Sequence, residues 1–174
     1  MEPISEELVN ETWQEVAGFT PNRARKEMTK LGKDQPDLLA FITEFTKDMN
    51  QEVKELTIYM FFNIYRMFQK SSKEKIKPIS SKKIIKCFEN NENFMEGLEG
   101  AHYKFFEKVV KVQLSRQPYV MKYLVETLFE TPEEDSIALT EEDMGYLFLL
   151  LKTVIDVLDM ETNVRKNRDT SHFS

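Results

Sequence analysis

The sequence predicts an all-α protein of about eight helices, arranged as two tandem, pseudo-symmetric four-helix units that share one core in a bundle-like or helical-repeat style. Three observations carry this expectation. The 174-residue chain has only 5 Gly and 6 Pro, too few for the many turns of an all-β sandwich. Residues 56–68 and 144–158 are apolar nearly all round, the mark of helices enclosed by other helices. Short motifs also recur in the same order. Glu2-Pro3-Ile4-Ser5 leads to Val9 and Trp13, and Lys77-Pro78-Ile79-Ser80 leads to Ile84 and Phe88, at the same spacings. Gln35-Pro36 with Leu38 and Leu39 is answered by Gln117-Pro118 with Val120 and Met121.

The first unit covers residues 2–70. Ser5 is placed to cap a first helix, with Glu6 and Glu7 at the positive end of its dipole. Leu8, Val9, Trp13 and Val16 fall on neighbouring turns and predict one buried face, and Gly18 ends the helix. Thr20-Pro21 opens a second helix, Thr as cap and Pro in the first turn. Only Ala24, Met28 and Leu31 anchor it, and Gly32 is expected to stop it. A third helix starts near Gln35-Pro36 and carries Leu38, Leu39, Phe41, Ile42 and Phe45. Asn50 caps the fourth, central helix.

Residues 71–79 read as a Lys-rich linker, and the second unit covers residues 80–160. Its first helix runs from Ser80 towards Asn90, with Asn90, Asn91 and Asn93 expected to form a turn. A longer helix follows with Leu98, Ala101, Phe105, Val109 and Val112 at helical spacing. The next starts at Gln117-Pro118, and Thr131-Pro132 breaks it. Thr140 and Asp143 resemble a capping box for the last helix. Residues 1–162 thus form one domain, and residues 163–174 a polar, flexible tail. Matching the two central helices sets Asn63 against Thr153 and Arg66 against Asp156, which predicts a partly buried Arg66–Asp156 ion pair that fixes register.

Composition narrows the function. The net charge is −6, without the broad basic field that phosphate backbones attract. No apolar run approaches the ~20 residues of a membrane helix. Met1-Glu2-Pro3 opens without a secretory signal, and the single Cys87 reads as a core residue in a reducing compartment, so a cytoplasmic location is expected. Glu99 and His102 have the Glu-x-x-His spacing of carboxylate metal sites, but such sites need two copies and further glutamates. The only other histidine is His172, which leaves no nucleophile–base set, and the five isolated glycines form no phosphate loop. No catalytic, cofactor-binding or metal residue is therefore assigned. Two charged stretches stand out: lysines from Lys70 to Lys86, and acids from Glu126 to Asp143. The expected function is a non-catalytic protein–protein interaction or adaptor module with a protein partner. The alternatives are a metal-binding protein or enzyme built on Glu99 and His102, a nucleic-acid-binding regulator using the lysines, and a homo-oligomer with Phe106 at its interface.

Overall fold

The computed structural model describes residues 2–97, 116–129 and 139–171, and every regular element in them is a helix. Seven helices occur among these residues: α1 (Glu6–Ala17), α2 (Pro21–Asp34), α3 (Pro36–Phe45), α4 (Gln51–Ser71), α5 (Ser81–Gly97), α6 (Pro118–Phe129) and α7 (Glu141–Ser171). The helix expected over residues 98–112 lies outside the described residues, as do Glu99, His102 and Phe106.

Local chemistry sets the starts. Ser5 Oγ accepts from the Leu8 amide at 3.1 Å, Thr20 Oγ1 from Arg23 at 3.2 Å and Asn50 Oδ1 from Val53 at 2.9 Å. Ser80 and Thr140 cap α5 and α7 in the same way, at 3.3 and 3.0 Å. Each such bond satisfies one of the orphan amides of a helix start and is worth about 1 kcal/mol.

The two most apolar helices, α4 and α7, pack on one another at the centre. Helices α1 and α3 lie on α4, and α5 and α6 lie on α7. Contacts also cross between the halves of the chain: α1 touches α6, and α3 touches α5. Phe61, Ile64 and Met67 of α4, with Phe148, Leu150 and Val154 of α7, are completely buried. Truncating such a phenylalanine to alanine costs about 3–5 kcal/mol.

Two extended segments are fixed by a pair of glutamines. The Ile4 amide donates to Gln117 Oε1 at 2.9 Å, and Gln117 Nε2 donates to Asp159 Oδ1 at 2.9 Å. The Ile79 amide donates to Gln35 Oε1 at 2.9 Å, and Gln35 Nε2 donates to the Lys77 carbonyl at 2.9 Å. Both glutamines precede the proline that opens a helix, and both bond outside that helix. The recurring Pro-Ile-Ser and Gln-Pro motifs are thus physical partners, and they pair crosswise: the early glutamine holds the late segment, and the late glutamine holds the early one. Residues 71–79 are consequently more than a solvated linker, since Ile76 and Ile79 are buried.

Several expectations are corrected. Arg66 and Asp156 do not pair. Arg66 Nε donates to Glu15 of α1 at 2.9 Å, while Asp156 accepts from Lys152 at 2.7 Å and from Asn91 of α5 at 3.2 Å. Each finds its partners beside the neighbouring peripheral helix, where water still reaches, and avoids the dry α4–α7 seam. Trp13 is exposed at the edge of α1, and Thr12 takes the inward place by donating to the Leu8 carbonyl at 2.6 Å. Gly32 does not stop α2. A Cβ there would lie 3.2 Å from Leu39 Cδ2, so this glycine accommodates the close approach of α3. Asn90, Asn91 and Asn93 form no turn, because α5 runs through them; Asn91 finds side-chain partners on α7 and does not compete with the helix backbone. Helix α7 continues past residue 163 to Ser171.

Candidate functional site

The most distinctive surface feature is a cleft between α1, α2 and α4. It arises from a mismatch in apolar supply. Over residues 56–68 helix α4 is apolar nearly all round, whereas Leu31 is the only apolar side chain that α2 buries. Gly18 closes α1, the Phe19 amide donates back to the Val16 carbonyl at 3.0 Å, and Thr20-Pro21 starts α2 at once. This three-residue elbow swings α2 outwards. It packs closely on α3 and leaves a space of about 660 Å³ against α1 and α4. Val16, Phe19, Met28, Ile58, Tyr59 and Phe62 supply its apolar wall. Tyr59 is 41% exposed, an unusual position for an aromatic on a central helix.

Charge is concentrated at the Phe19 end. The Arg23 guanidinium lies 4.1 Å from the Phe19 ring centroid and that of Arg66 5.2 Å, while the ring meets Phe62 edge-on at 6.2 Å. Glu15 is shared by Arg66, Lys70 and, at 3.9 Å, Arg23. Arg66 also reaches Glu27 at 3.6 Å. The hydrogen bond from Lys70, then that from Arg66, holds the Glu15 carboxyl below its ordinary value against the opposing effect of burial. Elsewhere on the rim Arg25 bonds the neutral Asn22, at 3.3 Å, and Gln51 donates to Glu55 at 3.2 Å.

A second cavity, of about 640 Å³, lies between α5 and α7. Its floor is a polar cluster. Lys152 donates to Asn91 Oδ1 at 2.8 Å and to Asp156, and the Asn91 amide donates to Thr153 Oγ1 at 3.0 Å. These groups satisfy one another, which suits a device that sets the α5–α7 register. Burial, followed by the Asp156 charge, pushes the adjacent Cys87 thiol up to about 11, so it stays protonated at neutral pH and is a poor nucleophile.

Among the described residues no three His, Cys, Asp or Glu side chains converge on a point that could hold a metal ion. Of the Lys70–Lys86 stretch, Lys70, Lys75 and Lys83 each meet a carboxylate, those of Glu15, Asp34 and Glu161. Glu126 lies 3.9 Å from Lys122, and residues 130–138 of the acidic stretch lie outside the described residues. Sequence reasoning missed the cleft because it treated Ile58 and Tyr59 as enclosed. The available signal was the imbalance between an all-apolar helix and a neighbour with three apolar anchors. No family model matches the chain, and neither a curated protein nor a solved structure matches it.

Proposed function

We propose that the protein is a non-catalytic helical interaction module that binds another polypeptide in the cleft between α1, α2 and α4. The observation that carries this reading is the open apolar wall of that cleft, with Tyr59 and Ile58 of the central helix facing it. Buried aromatic anchors and adaptable methionine are the usual content of such surfaces. The reading includes a reducing, cytoplasmic setting, consistent with a lone, buried and protonated Cys87. It also includes descent from one duplicated helical unit, supported by the crosswise glutamine bonds and by the matched contacts of α1 and α5, and of α3 and α6, with the central pair.

The test is site-specific photo-crosslinking in the full chain in its native cytosol. A photoreactive residue replacing Tyr59 is expected to give a discrete adduct with a second polypeptide, and one replacing the exposed Glu89 of α5 is expected to give none. Loss of the adduct on adding Ile58→Lys would tie it to the cleft. Equal labelling from both positions, or none from Tyr59, would refute the assignment. An adduct of twice the chain mass would identify a second copy as the occupant. Stoichiometric metal in the purified protein would favour the alternative built on Glu99 and His102.

A further inference from the structure

We infer that the occupant of the cleft is an amphipathic helix with acidic side chains flanking its apolar stripe; this rests on the reading of the cleft as the binding site. Backbone chemistry gives the shape of the ligand. All three walls are helices, whose interior amides and carbonyls are already paired, so they offer no edge to an extended strand. A ligand buried there must satisfy its own backbone, and a helix does. The space of about 660 Å³ has room for the several side chains that an i, i+3, i+4, i+7 stripe presents.

Charge gives the flanks. The whole chain is acidic, at −6, yet the surroundings of the cleft are basic. At the Phe19 end three cations, Arg23, Arg66 and Lys70, share the carboxylates of Glu15 and Glu27. Among the described residues Arg25 on α2 has only the neutral Asn22 as partner, and Lys54 on α4 makes no ion pair. Among the described residues Glu55 is the one carboxylate lining the cleft itself, and Gln51 already donates to it. Cations therefore stand on both the α2 and α4 sides with capacity for incoming carboxylates. Such rim charges act mainly on association rate and on partner choice.

A library of displayed peptides of random sequence, unconstrained in conformation and panned against the full-length protein, tests this. The enriched sequences are expected to combine the four-position apolar stripe with net negative flanks. Fluorescence anisotropy at low salt should then show affinity falling by about tenfold or more when those acids become lysine. The double variant Arg25→Glu, Lys54→Glu, at two surface positions, should reverse that preference, and added salt should weaken binding to the parent. Binding should also be lost in Ile58→Lys and in Tyr59→Lys, the second altering a side chain already 41% exposed so that folding is preserved. Enriched helices with neutral or basic flanks that still depend on Ile58 and Tyr59 would overturn the acidic assignment and leave the cleft as the site. Proline-rich or extended sequences dependent on the same residues would overturn the helical form. No enrichment, or binding indifferent to Ile58 and Tyr59, would overturn this inference together with the reading it rests on.

Discussion

Asn63 is the most exacting residue in the core. It is completely buried on α4 and donates to the Tyr123 hydroxyl at 3.0 Å, and its own Oδ1 has no hydrogen-bond partner among the described residues. Burial in turn pushes the Tyr123 hydroxyl well above the ordinary tyrosine range, so it stays protonated and can serve as partner at any physiological pH. Tyr123→Phe would strand both ends of the Asn63 amide. The expected cost is about 1–3 kcal/mol in urea denaturation, most of it recovered in the double variant with Asn63→Leu. A single variant as stable as the parent would show that the bond contributes nothing. The contrast with the helix caps shows what is legible at this scale. Ser5, Thr20, Asn50 and Thr140 act on amides three residues away, so their roles are written locally. Arg66 bonds Glu15, Asn91 bonds Thr153 and Asn63 bonds Tyr123, each at least 51 positions away, and nothing in the local sequence names these partners.

Among elements, α7 offers the cleanest test of intrinsic helix preference. Gly145 lies in its second turn, and a Cβ built there meets nothing within 4 Å. Gly145→Ala should therefore raise stability by about 0.5–1 kcal/mol, read as a higher melting temperature with unchanged helical signal. A lower melting temperature would mean that the position needs glycine for another reason. Gly32 differs, because Leu39 must yield a few tenths of an ångström before a methyl group fits. The sequence shows the starts of elements better than their ends. Capping residues, and proline where it follows Thr20, Gln35 or Gln117, mark beginnings, whereas glycine and asparagine stop a helix only when their surroundings let them. In α2 and α5 packing and side-chain bonds absorb these residues, and the helices continue. The same limit hid the cleft: apolar periodicity says that α4 seeks cover on every side, and only the geometry of the Gly18–Thr20 elbow shows where cover is incomplete.

For the whole molecule, the order of the recurring motifs is visible in the chain, but their crossing is not. A glutamine before a proline carries no record of which distant amide it will hold. Gln35→Ala should cost about 1–3 kcal/mol and accelerate hydrogen exchange at the Ile79 amide, and Gln117→Ala should do the same at Ile4. Unchanged protection at the paired amide in either variant would count against the crosswise arrangement as a source of order. The crossing also has a consequence for how the chain is made. A nascent chain leaves the ribosome from its N-terminus, so Ile4 emerges long before Gln117 and Asp159 exist to receive it. Gln35 likewise waits for Ile79. The opening half therefore stays incomplete throughout most of synthesis, with an arm hanging loose, and native structure locks only once the second half has been translated.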